Sequence, residues 1–185
     1  MKKTVRRIVT GHDAMGRAII QSDAAPERVM TLPHNGPTFY EIWNTRETPA
    51  RIDRSSGEPR EEGVKLSPPH HGTRIRVLDF PPEATVRPVE GAQARELFAS
   101  IGAADAMSGG GGNARHPHMH RTETIDYGIV LEGKITLLVD EGETVVRAGE
   151  IVIQRGTNHG WANRSTANCR VAFILIDGKF ADGLS

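Results

Sequence analysis

The chain contains a single cysteine, Cys169, so it forms no internal disulfide and a disulfide scaffold of the secreted kind is excluded. No stretch approaches 18 consecutive apolar residues, which argues against a membrane-spanning helix. The N-terminal stretch "MKKTVRRIVTGHDAMG" is basic but is not followed by the apolar segment of a signal peptide. Together these absences predict a cytoplasmic protein. Charge of one sign is missing too, because 23 Lys and Arg balance 23 Asp and Glu. Aromatic residues are only 5% of the chain, and no predicted strand shows the basic, aromatic-interleaved face of a nucleic-acid binder. No nucleic-acid partner is expected.

What remains is ordinary globular composition over 185 residues, 37% hydrophobic and 25% charged, enough for one domain with an extension. "TVRRIVTGHDAMGRAIIQSD" reads as a hairpin turning at Asp13 to Gly16. "PTFYEIWNT" is a further strand, rich in β-formers at Phe39, Tyr40, Ile42 and Trp43. Residues 53–72 are charged and proline-punctuated, as in a linker or surface loop. In "TRIRVLDFPPE", Ile75 and Val77 alternate with Arg74 and Arg76, the pattern of a half-buried strand that Pro81 and Pro82 stop. One short helix is expected at 91–104, where Ala94, Leu97, Phe98 and Ile101 fall at helical spacing. The "SGGGGN" run at 108–113 follows no strand and is not read as a phosphate cradle.

From Tyr127 the pattern becomes strand, turn, strand. "YGIVLEG", "KITLLVDEGE", "TVVRAGE", "IVIQRG", "HGWANRST" and "RVAFILID" are six short segments with turns at Gly133, Gly142, Gly149 and Gly156. Such spacing predicts an antiparallel barrel or sandwich. The last segment is apolar throughout Val171 to Ile176 and should be covered on both faces.

Just before this series stands "HPHMHRTETID", with His116, His118 and His120 at alternate positions. Alternation in extended chain points side chains to one face. A distant partner is His159, which a barrel can bring alongside because neighbouring strands lie about 5 Å apart. Convergent His and carboxylate ligands suit Zn, Fe, Mn, Ni or Cu.

These residues resemble the cupin superfamily. Its second motif ends in Gly, two residues, His, three residues, Asn, and Gly156, His159 and Asn163 match that spacing. Gln154 stands where the motif has proline, and one residue is missing after Gly149. The segment "YGIVLEGKITLLVDEGE" is similar to the strand-turn-strand between the two cupin motifs. The resemblance covers about residues 73–178. It implies an all-β fold, a single jelly-roll-like antiparallel β-barrel at 73–178 with an N-terminal β extension and linker at 1–72.

The first motif departs from the family. Asp126 occupies its glutamate position, counted from Gly133, but neither usual spacing back from Asp126 meets two histidines. The pair His118 and His120 fits only if the chain before Asp126 holds one extra residue, as a bulge can. Two readings follow: a four-ligand site of His118, His120, Asp126 and His159, or a three-ligand site of His120, Asp126 and His159. A divalent metal (Fe, Mn, Ni or Zn) is implied in either. A metal-free barrel, with the same residues lining a pocket, is the competing reading.

Tyr127, Gln154, Arg155 and Trp161 lie beside the motif strands and are the candidate substrate-binding residues. Arg155 inside the barrel would favour a carboxylate-bearing ligand; on the outside it would pair with a surface acid. The resemblance implies either a metal-dependent enzyme (oxygenase, isomerase, decarboxylase or lyase) acting on a small molecule, or a small-molecule binding protein; fold alone does not choose. No catalytic residue is identified. A homodimer is expected, with Phe39, Tyr40, Ile42 and Trp43 as the apolar surface to be covered.

Overall fold

The computed structural model describes residues 4–54, 63–87, 96, 99–102, 106 and 115–184. A hairpin comes first, β1 (Arg7–His12) with β2 (Ala18–Ala24). Its turn is held by the Asp13 carboxylate, which accepts the backbone N–H groups of Met15 and Arg17 at 2.9 Å each. Next come β3 (Arg28–Thr31), β4 (Thr38–Thr45) and β5 (Thr73–Phe80), followed by a 3-10 turn at Glu83–Thr85. The remaining strands are β6 (Thr124–Glu132), β7 (Lys134–Val139), β8 (Gly142–Arg147), β9 (Ile151–Arg155), β10 (His159–Ala162) and β11 (Cys169–Asp177). They are the six segments expected after residue 123.

All strand pairings are antiparallel. The larger sheet runs β3-β4-β5-β11-β6-β9 and the smaller β10-β7-β8. From β6 onward the chain passes back and forth between these two sheets, as in a jelly roll. The turns that reverse it carry Gly133, Gly142, Gly149 and Gly156 at positive φ. At Gly133 the need is double, because a Cβ would also stand 2.8 Å from the Asn168 carbonyl oxygen. The N-terminal extension is continuous with this structure, since β4 pairs along β5 from Thr38↔Asp79 to Thr45↔Thr73.

Period-2 alternation decides what each strand buries. Val130 of β6 and Val171, Phe173 and Leu175 of β11 point between the sheets, where Ile135 and Val146 of the smaller sheet meet them. Burying side chains of this size stabilises the fold by roughly 1.5–3 kcal/mol each. On the other face Ala172 packs with Tyr40 and Val77. Central β11 is thus covered on both faces, as its unbroken apolar run requires.

Strand β5 departs from its expected half-burial. Arg74 and Arg76 are each only 2% exposed, and they point inward with Leu78 and Phe80. Glu41 of β4 makes this tolerable, taking Arg74 Nη1 at 2.9 Å and Arg76 Nε at 3.1 Å. Arg74 also donates to the Ser67 carbonyl and Arg76 to that of Lys65. The alternation was legible, but its polarity was inverted by an acid on the neighbouring strand.

The helix expected at 91–104 falls mostly outside the described residues; Glu96, Ala99 and Ser100 are helical, and Ile101 joins the main core. The "SGGGGN" run also lies outside them. The described end of the 53–72 stretch is not a free linker, because Val64 is buried in the core with Leu66 packed against it. No described helix is long and apolar enough to cross a membrane.

Candidate functional site

Between the sheets lies a cavity of about 130 Å³ whose walls include His118, His120, Asp126 and His159, together with Arg76 and Trp161. Each polar residue arrives by a different route. Asp126 is an inward position of β6 and pairs across β9 with Gln154. His159 opens β10, beside Val139 of β7. His120 is joined to His159 by an isolated antiparallel bridge, and their rings lie 4.3 Å apart. His118 belongs to the loop just before, which Met119 anchors with a side chain 2% exposed.

Residues 121–123, between His120 and β6, belong to no strand, and the chain bends at Glu123. Arg121 ties this segment down, its Nε donating to the Gly156 carbonyl at 2.9 Å. His118, His120 and Asp126 share a cavity although their spacing does not match the family motif.

Burial governs the electrostatics. It pushes His118 down to about 4, with His116 and His120 adding to the effect, and His159 down to about 3, with His120 adding. His120 is lowered by burial as well. The same desolvation raises Asp126 to about 6. At neutral pH the three imidazoles are uncharged, the form in which they donate a lone pair to a ligand.

A neighbouring carbonyl sets the His120 tautomer. His120 Nδ1 lies 3.0 Å from the His118 carbonyl and donates to it, which leaves Nε2 unprotonated. His159 Nδ1 lies 3.0 Å from the Thr157 carbonyl and 2.8 Å from Gln154 Nε2. Gln154, in the place of the motif proline, also donates to the Thr157 carbonyl at 2.6 Å and accepts from its hydroxyl at 2.8 Å. It braces the His159 turn by hydrogen bonds where proline would do so by ring rigidity. Asn163 is likewise structural: its Nδ2 donates to the Phe80 and Ala167 carbonyls at 2.7 and 2.8 Å.

The donor set suits a divalent transition metal, and Asp126 Oδ1 is buried without a hydrogen-bond partner. The geometry is looser. Among the described residues, only His70, His71 and Asp177 bring three such ligand atoms within 4.8 Å of one another. Bonds of about 2.0–2.1 Å require closer convergence than His118, His120, Asp126 and His159 show, so these side chains must rotate inward to close on an ion. His70 and His71 are exposed; Asp177 accepts the His71 N–H at 2.7 Å and lies 3.1 Å from His70 Nδ1.

The candidate substrate residues divide by strand parity. Trp161 lines the cavity, and Gln154 is buried behind His159. Tyr127 and Arg155 alternate with the inward Asp126 and Gln154, so both stand on the outer face, and neither lines the cavity. The carboxylate expectation attached to Arg155 loses its residue. The arginine in the wall is Arg76, missed because its strand read as half-exposed. His116 has Nε2 2.6 Å from Glu83 Oε1, while its Nδ1 accepts the His118 N–H at 3.2 Å.

Two antiparallel sheets enclosing a histidine-lined cavity define a cupin, and the chain belongs to the cupin superfamily. The cupin domain pattern matches residues 107–176. Over 96% of this chain and 80% of the relative, it is 31% identical to the phomopsin biosynthesis cluster protein C' of Diaporthe leptostromiformis. It is similar also to the cupin-domain-containing oxidoreductase virC of Hypocrea virens, 28% identical over 97% of this chain and 78% of that one. The cupin-domain-containing oxidoreductase fogC of Aspergillus ruber is 27% identical over 94% and 72%.

Proposed function

We propose that the chain is a metal-dependent cupin enzyme of oxidoreductase type, acting on a small organic molecule inside the barrel. The observation that carries this is the meeting of three neutral imidazoles and the partnerless Asp126 oxygen in one cavity. The similarity to relatives named as oxidoreductases supports the redox class. His118, His120, Asp126 and His159 would hold the ion. When bound, Fe, Mn, Ni or Zn supplies polarisation of a substrate oxygen, or activation of water or dioxygen.

The chain's own residues do the rest. Burial keeps the histidines deprotonated, Gln154 and Thr157 hold His159, and the apolar walls exclude water from the reacting end. Arg76, already engaged by Glu41, places positive charge near Asp126 and favours its ionised form. The alternative is a metal-free binding protein, favoured by the loose spacing of the four side chains.

Metal analysis of untagged, desalted protein separates the two. Wild type should retain close to one ion per chain, and His159→Ala none, while a His70→Ala, His71→Ala double variant should retain as much as wild type. Retention that disappears only in the double variant would move the metal to the exposed cluster and leave the cavity to the binding-protein reading.

A further inference from the structure

The chemistry of the cavity wall carries a conclusion about what enters it. Apart from the histidine pole, Arg76 and Asp126, every described wall residue is apolar, among them Phe39, Leu78, Phe80, Phe173 and Leu175. Aromatic rings meet edge to face along one side: Trp161 with Phe173 at 5.3 Å, and Phe173 with Phe80 at 6.4 Å. The same row reaches the polar pole, because Trp161 meets the His159 ring edge-on at 6.2 Å. Gly128 makes room for this pair, since a Cβ there would lie 3.3 Å from Phe173 and 3.5 Å from Trp161.

Charge in the wall is already compensated. Arg74 and Arg76 share Glu41, and Asp126 supplies a second negative charge facing Arg76. In the metal-free chain, an anionic group in the inner cavity would have to shed its hydration without gaining an uncompensated cation among the described wall residues, which is unfavourable. Size points the same way. An apolar cavity of about 150 Å³ is enough to take a benzene ring, and this one is about 130 Å³. A second cleft of about 280 Å³ shares Pro37, Phe80, Val86, His118 and Trp161 with it and continues past Pro81 and Pro117 to a polar rim of Glu83, Arg87 and His116.

We infer that the substrate is a largely apolar molecule built on one ring, with an oxygen-bearing end at the histidine pole and a substituent in the outer cleft. This deepens the reading of the cavity as a substrate site and rests on it. The ring lies along the row from Phe80 to Trp161, where edge-to-face contacts favour a planar guest.

The test uses the full chain, stripped of metal with a chelator, and isothermal titration with three probes: 4-butylphenol, succinate and glucose 6-phosphate. 4-Butylphenol should bind saturably, at least tenfold tighter than either anion. Val86→Arg, at the junction of the two clefts and only half-buried, should weaken 4-butylphenol at least tenfold while leaving the circular dichroism spectrum unchanged. Tighter binding of succinate or glucose 6-phosphate overturns the inference, as does 4-butylphenol binding that Val86→Arg leaves unaltered. If metal is retained but 4-butylphenol does not bind, the substrate class fails and the enzyme reading stands. If 4-butylphenol binds but no metal is retained, the class stands and the enzyme reading fails.

Discussion

His120 and His159 hold each other through their backbones: the His120 N–H donates to the His159 carbonyl at 2.8 Å, and the His159 N–H returns the bond to His120 at 2.9 Å. Thirty-nine positions apart in sequence, the two are clipped at the mouth of β10 with their rings in contact. Because the clip is made by main chain, side-chain substitutions at either residue leave it in place. His120→Ala and His159→Ala should therefore keep the fold while each abolishes metal retention, as read by metal analysis and circular dichroism. His118→Ala should lower retention as well, since His118 lines the same cavity. His116→Ala should retain the ion, because its ring faces Glu83.

Glu41 balances two buried guanidinium groups at once. Removing one partner of a buried ion pair typically costs about 3–5 kcal/mol, because the remaining charge is left uncompensated. Glu41→Ala should destabilise the protein by that order in urea titration. Replacing an exposed acid such as Asp23, which pairs with Arg6 on the surface, should leave stability nearly unchanged, because solvent screens the pair. Similar costs at the two positions would contradict the assignment.

Acid should destabilise the metal-free protein. His118 and His159 are held at about 4 and about 3 in the fold, below their ordinary 6.5. As pH falls below 6.5, the unfolded chain takes up protons that the native chain refuses, and stability drops. Asp126, raised to about 6, acts in the opposite sense, since the native state binds its proton first. His120 is also lowered, so three imidazoles outweigh one carboxylate. The melting temperature of chelator-treated protein should fall steadily from pH 7 to pH 4.5, and a rise over that interval would count against these burials.

The homodimer proposal acquires a different surface from the one expected. Phe39 and Tyr40 are buried within the chain itself. The outer face of the larger sheet instead exposes Ile125, Tyr127 and Leu131 of β6 beside Ile151 and Ile153 of edge strand β9. Five large apolar side chains on one sheet face, two of them on the edge strand, favour cover by a second copy. Light scattering should give a dimer at micromolar concentration, and Ile153→Glu should shift it to monomer.

Local pattern determined much of this protein. The alternation and glycine turns after residue 123 are properties of consecutive residues, so β6 to β11 could be read directly, and the spacing of Gly156, His159 and Asn163 pointed to the cupin superfamily. Three things were decided only by tertiary structure. Arg74 and Arg76 turned inward because Glu41 sits opposite them on a strand some thirty residues earlier. Tyr127 and Arg155 turned outward because β6 and β9 pair with Asp126 and Gln154 facing the cavity, and a one-residue difference in parity reverses every side chain. That His118, His120, Asp126 and His159 line one cavity depends on long-range contacts such as those of Arg121 to Gly156 and Ala106, which local sequence does not encode. Sequence carries period and composition; which face becomes the inside depends on charges and backbone partners that only the folded chain brings together.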